Sequence, residues 1–245
     1  MATTELGAQL TDLQYDQQLA LRAATLREVM AIWPALDFAD IDAISSTWAP
    51  FEAALAALID LRYANSAQIA AAYFQMFRAA EAIPGHAIPV IAGALPDEQV
   101  LTSIRVTGLY EARKQLGANA PDVEGRTLAS LLGSTSNLVS HGGRNTLIES
   151  ANADRQAIGY ARVASGRRAC AFCRMLASRG FVFKESTVSF RAHDHCACTV
   201  EIQYRTEQTL PHGSAADQAL WNDVTAGYHG RDAINAFRRA VDNGA

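Results

Sequence analysis

The chain has 245 residues, 49% of them hydrophobic and 19% charged, with a formal net charge of -4. That composition suits one large or two small globular domains with a sizeable core; it excludes low-complexity disorder, which needs fewer apolar residues and more net charge, and the absence of a long apolar run excludes a membrane-spanning helix. The small negative total argues against bulk attraction to nucleic acid, but the charge is uneven: residues 1–140 hold 8 Lys and Arg against 15 Asp and Glu, whereas residues 141–210 hold 10 against 6. Such a split suggests separate modules. The opening MATTELGAQL has neither the basic nor the apolar region of a secretory signal, so the expectation is a protein made in the cytoplasm that leaves it only as part of an assembly.

The first 120 residues read as helix. Leu19, Ala23, Leu26, Met30 and Trp33 recur at steps of three and four, the spacing of one helix face, and Pro34 is expected to end that helix. Asp40 or Asp42 is placed to cap a short helix running to about Trp48. After Pro50, the stripes Phe51, Leu55, Leu58, Ile59 and then Ile69, Tyr73, Met76, Phe77 carry helix to a break at 83–96, which holds Pro84, Gly85, Pro89, Gly93 and Pro96. A new helix starts at Pro96 with Asp97 and Glu98 in its first turn, where the macrodipole favours negative charge; Leu101, Ile104, Ala112 and Leu116 mark its buried side and Gly117 its end. Residues 117–125 read as a module boundary. Helix resumes through Leu128, Leu131, Leu132 and Val139, is expected to be interrupted at Gly142-Gly143, and returns over 145–156.

Strand texture follows. Ile158, Tyr160 and Val163 alternate with smaller residues, Phe181-Val182-Phe183 is short and β-prone, and 198–204 alternates cleanly. The last 35 residues return to helix, with Ser214 as N-cap and Leu220, Val224 and Tyr228 on one side; Gly230 then separates a final helix holding Ile234, Phe237 and Val241. The expected fold class is mainly α with a small α+β module. It divides into an N-terminal helical bundle (1–120), a Cys/His zinc-knuckle-like module (121–210) and C-terminal helices (211–245).

All 4 cysteines, Cys170, Cys173, Cys196 and Cys198, fall within 29 residues, a clustering that packing alone does not produce. A Cys170-Ala-Phe-Cys173 turn presents two sulfurs to one ion, and a pair from the distant His193-Asp-His195-Cys196-Ala-Cys198 stretch closes the tetrahedron that zinc prefers. His193 and Cys196 converge in a tight turn, while Cys196 and Cys198 share a face if extended. Six donors exceed four: Cys170, Cys173, His193 and Cys196 form the first set, with Cys198 next in line and His195 after it. Thiolates with imidazole suit zinc, and a fully protein-ligated ion is structural, stapling 174–192 and adding folding free energy. One or two disulfides are the competing reading, for a particle that leaves the reducing cell. A thioredoxin-like redox pair is disfavoured because no βαβ pattern surrounds the Cys-x-x-Cys.

His86, His141, His212 and His229 are isolated and read as exposed or loop histidines. Arg144, Arg155, Arg162, Arg167, Arg168, Arg174 and Arg179 form a cluster whose first reading is a solvated, salt-bridged face; the functional reading is contact with nucleic acid or an acidic partner through Arg162, Arg167, Arg168, Arg174 and Arg179. Only Tyr160 and Phe172 interleave, so no base-stacking platform is evident. Phosphate-binding loops, the nucleophile elbow, H-E-x-x-H, dinucleotide fingerprints and the zinc-deaminase signature are absent. His193-Asp-His195 beside a Cys-x-x-Cys has a likeness to HNH-type nucleases, although the expected downstream Asn and second His are not in place. A zinc-supported nuclease or a zinc-stabilised nucleic-acid-binding protein is therefore the alternative.

The run ARVASGRRACAFCRMLASRGFVF at 161–183, closed by His193-Asp-His-Cys196-Ala-Cys198-Thr, resembles the MuF-like minor capsid proteins of tailed phages, in the form found in phages of actinobacteria. That family carries a Cys-x-x-Cys and a later His-x-x-Cys-x-Cys, whose positions fall here on His193, Cys196 and Cys198. Asp194 stands where proline is frequent and Ala197 where arginine is frequent; neither is a ligand position. The resemblance covers 125–205. It implies a non-enzymatic, low-copy protein inside the virion, assembled in the host cytoplasm. Such a protein contacts the portal or major capsid protein and packaged DNA, and aids head assembly and DNA packaging or ejection. No membrane or small-molecule substrate is implied.

Overall fold

A computed structural model describes residues 3–164, 169–181, 194 and 196–244. Helix α1 (Glu5–Ile32) opens on Thr4, whose hydroxyl accepts the Gly7 N–H at 3.0 Å. A 3-10 turn over Trp33–Ala35, holding Pro34, follows it as expected. Helix α2 (Ile41–Ala80) starts at Asp40, whose carboxylate accepts the Ala43 N–H at 2.8 Å.

The expected end of that helix near Trp48 does not occur, and α2 runs for 40 residues through Pro50. Pro50 is exposed, whereas Trp48 and Phe51 are buried. Solvent takes up the carbonyl that proline leaves unbonded, and the flanking aromatics hold both turns to the core. The buried face of α1 also differs from the apolar stripe. Ala23 and Met30 are exposed, while Thr11, Gln14, Tyr15, Gln18, Thr25 and Val29 are buried. Hydrogen bonds to α2 satisfy part of this polar face: Thr11 Oγ1 lies 2.9 Å from Tyr73 Oη, and Gln18 Nε2 donates to the Ser66 carbonyl at 3.0 Å. Sequence spacing registers apolar stripes and is blind to such partners.

Helix α3 (Asp97–Arg105), one π-helical turn (Val106–Tyr110) and α4 (Glu111–Gly117) follow one another without a break. The wide turn lies where Gly108 meets Trp48; a Cβ on Gly108 would stand 2.2 Å from Trp48 Cη2. Helix α5 (Val123–Ala153) is likewise continuous through Gly142-Gly143, against the interruption expected there. The two glycines are a contact rather than a break: a Cβ on Gly142 would lie 2.1 Å from the Tyr63 carbonyl oxygen, so α2 and α5 touch through their backbones.

Strands β1 (Gly159–Val163) and β2 (Thr199–Gln203) pair antiparallel, with Tyr160 opposite Ile202 and Arg162 opposite Val200. Two strands alone are marginal in water. These are held because Tyr160, Val200 and Ile202 share a buried cluster with Phe74, Phe77 and Leu147 of α2 and α5. A second cluster joins Val29, Trp48, Phe51, Leu55 and Ile104 to Leu131 and Leu138, taking side chains from both sides of residue 120. Short α6 (Ala171–Ala177) packs on β1, α7 (Ala215–Val224) and α8 (Gly230–Asp242). Ser214 heads α7 as expected, but Tyr228 is exposed. Val182 and Phe183, expected in a short strand, lie outside the described residues. The architecture is mainly helical with one small sheet, the class the sequence implies.

Candidate metal centre

The sulfurs converge because three elements meet at the start of β2. Cys170 is the N-cap of α6 and its Sγ accepts the Cys173 N–H at 3.3 Å, which sets both residues on one side of the helix start. Cys196 and Cys198 lie in the irregular segment that leads into β2. Arg144 of α5 holds that segment: its Nε donates to the Cys198 carbonyl at 3.0 Å, its Nη2 to the Cys196 carbonyl at 2.9 Å and its Nη1 to Asn137 Oδ1 at 3.0 Å. The Cys173 and Cys196 sulfurs stand 3.1 Å apart, those of Cys196 and Cys198 2.9 Å apart, and all three lie within 4.8 Å of one another. All three side chains are buried, and partly buried Cys170 packs against them.

Arg162 completes the site from β1. It is only 1% exposed, and its Nη1 faces Cys173 Sγ at 3.8 Å and Cys196 Sγ at 4.0 Å and donates to Cys198 Sγ. Burial alone would raise the Cys198 thiol. Hydrogen bonds from Cys173 and Cys196 and the charges of Arg144 and Arg162 outweigh it and hold Cys198 well below the ordinary thiol range. Cys173 moves the other way, pushed up by its hydrogen bonds to Cys170, Cys196 and Cys198 and by burial. Three adjacent thiolates repel one another, and a divalent cation removes that repulsion while drawing off the remaining protons.

The donor set fits a soft-ligand metal ion. The cysteines are free, and separations of 2.9 and 3.1 Å exceed the ~2.05 Å of a disulfide bond. Thiolates at about 2.3 Å from zinc span tetrahedral edges of about 3.8 Å, longer than the two shorter sulfur separations here and within the 4.8 Å that bounds all three. Three close cysteines could thus hold an ion, and they are the one such group among the described residues.

The structure groups the sulfurs of Cys173, Cys196 and Cys198, and Cys170 packs against them from outside that group. His193, His195, Arg167 and Arg168 lie outside the described residues. The expected surface role of Arg162 does not hold, because its side chain turns inward to the sulfurs. Arg174 is paired with Asp217 at 2.7 Å, and Arg179 is exposed. Arg144 stood in the arginine cluster as a solvated residue; it is 3% exposed and clamps the cysteine loop. One signal for Arg162 was present in the sequence: it lies between Tyr160 and Val163 in a segment read as strand, and an arginine in a strand that becomes buried needs an internal partner. Nothing in the sequence pointed to Arg144, whose partners on the cysteine loop lie more than fifty residues away. His141, read as exposed or in a loop, lies half-buried on α5; burial and Arg144 push its pKa down to about 4, so it stays neutral at physiological pH.

Fold and site together define a mainly helical protein with a buried cysteine cluster beside a two-stranded sheet. The chain belongs to the VG15 protein family, whose model matches residues 6–223, and that membership marks it as a phage-encoded protein. No curated protein and no solved structure matches it. No helix among the described residues is long and apolar enough to cross a membrane.

Proposed function

We propose that this chain is a MuF-like minor capsid protein of a tailed phage, acting as a non-enzymatic structural part of the head. One observation carries the reading: sulfurs from two stretches more than twenty residues apart in sequence meet in a buried pocket that Arg144 clamps from behind. With its fourth position filled by a further protein donor, such a site suits a structural ion and leaves no position for substrate or activated water. Zinc fits these donors best. Held by Cys173, Cys196 and Cys198 with a fourth donor, it would fasten the approach to β2 onto α6. The long helices then offer the surface for the portal or major capsid protein, inside the capsid and near packaged DNA. Membership in a phage family and the composite cysteine–histidine motif support this reading.

Two measurements test it. Mass spectrometry of purified particles is expected to find the chain at low copy number. Elemental analysis of protein purified under reducing conditions is expected to find about one zinc per chain, lost in Cys173→Ser. Absence of the chain from particles overturns the capsid role. A DNA-cleaving activity that His195→Ala abolishes while metal content stays intact would establish the nuclease instead.

A further inference from the structure

We infer that the centre is a four-thiolate site closed by Cys170, with Arg162 as its buried counter-charge. The inference rests on the zinc reading above and goes beyond it in naming the fourth donor and the residue that neutralises the ion's shell.

Cys170 is already oriented toward the site. Its sulfur accepts the Cys173 N–H at 3.3 Å, and it packs against the three buried sulfurs while staying partly exposed. An N–H donated to a ligand sulfur fixes the direction of its remaining lone pairs, as outer-sphere hydrogen bonds do for metal ligands generally. Cys170 lies outside the three-sulfur group yet packs against it, and as the half-buried cysteine beside three buried ones it is the described thiol left to supply the fourth donor.

Charge points the same way. Four thiolates around a divalent ion leave two net negative charges; three thiolates and a neutral imidazole leave one. A buried group with more negative charge needs more compensation. Arg162 presents one Nη1 to three sulfurs. Arg144 sits against the carbonyls of Cys196 and Cys198. Both guanidiniums favour each further thiolate over a neutral ring.

X-ray absorption at the zinc edge of the intact wild-type chain tests the donor set without any substitution. Four sulfur neighbours at about 2.3 Å are expected; three sulfurs and one nitrogen at about 2.0–2.1 Å would overturn the inference while leaving the zinc reading standing. Metal retention under chelator challenge gives a second readout. Cys170→Ser is expected to lose zinc as Cys173→Ser does, whereas His193→Ala and His195→Ala keep the wild-type content. The reverse pattern overturns the inference. Arg162→Met is expected to weaken zinc affinity about 10–100-fold, with Arg162→Lys restoring part of it; unchanged affinity in Arg162→Met removes the counter-charge role. A wild-type chain without metal defeats the zinc reading itself, and the inference with it.

Discussion

Glu201 shows how one residue ties stability to pH. It is fully buried in β2 opposite Ala161, and its carboxylate accepts Thr3 Oγ1 at 2.7 Å, the His212 backbone N–H at 3.1 Å and Thr11 Oγ1 at 3.3 Å. Burial pushes its pKa from 4.5 up to about 7, with the bonds from Thr3 and His212 pulling back. Glu81, equally buried nearby, is instead paired with Arg205. Between about pH 4.5 and about pH 7 the folded chain holds a proton on Glu201 that the unfolded chain has released. Stability therefore falls as pH rises through that window and levels off above it, by up to about 3 kcal/mol. Glu201→Gln keeps a neutral group of the same shape and is expected to flatten this slope. Thermal denaturation at about pH 5 and about pH 7.5 reads it: the melting temperature of the wild type drops between the two by several degrees more than that of the variant. Equal drops would show that Glu201 ionises alike in both states.

At the scale of the element, helix starts were legible and helix continuity was not. Asp40 and Pro96 head α2 and α3 as their residue types imply. Pro50 and Gly142-Gly143 are breakers by type, yet helices run through all three, because what surrounds them compensates. Gly142 makes the sharpest test. Alanine at an exposed helical glycine stabilises by roughly 0.5–1 kcal/mol. At Gly142 the new methyl would meet the Tyr63 carbonyl oxygen at 2.1 Å, an immovable backbone atom on the facing helix. Gly142→Ala is therefore expected to destabilise by about 1–3 kcal/mol, read as a lower urea midpoint. Gly93→Ala, where no atom stands within 4 Å of the added methyl, serves as the neutral control. A Gly142→Ala midpoint at or above the wild type would mean that α2 and α5 do not touch there.

Across the whole molecule, the helices on either side of residue 120 depend on one another. Leu131 and Leu138 complete the cluster built on Val29, Trp48, Phe51 and Leu55, and the chain's start is tied to distant segments by Thr3 with Glu201, Thr4 with Glu81 and Asp12 with His212. A fragment of residues 1–120 exposes the α5-facing side of α2 and leaves Glu81 without Arg205. It is expected to keep helical signal by circular dichroism but to lose the sharp urea transition of the full chain. A fragment that unfolds as cooperatively as the parent would show that 1–120 is self-sufficient. By itself the sequence determined the mainly helical class, the two short strands and the grouping of four cysteines, because composition, periodicity and spacing are local properties that act before the chain closes on itself. Tertiary structure alone decided which face of α1 is buried, why Gly142 is needed, and that Arg144 and Arg162 turn inward to the sulfurs. Each of those rests on a partner far away in the chain, and a buried charge or a missing side chain acquires its meaning only from the atoms packed against it.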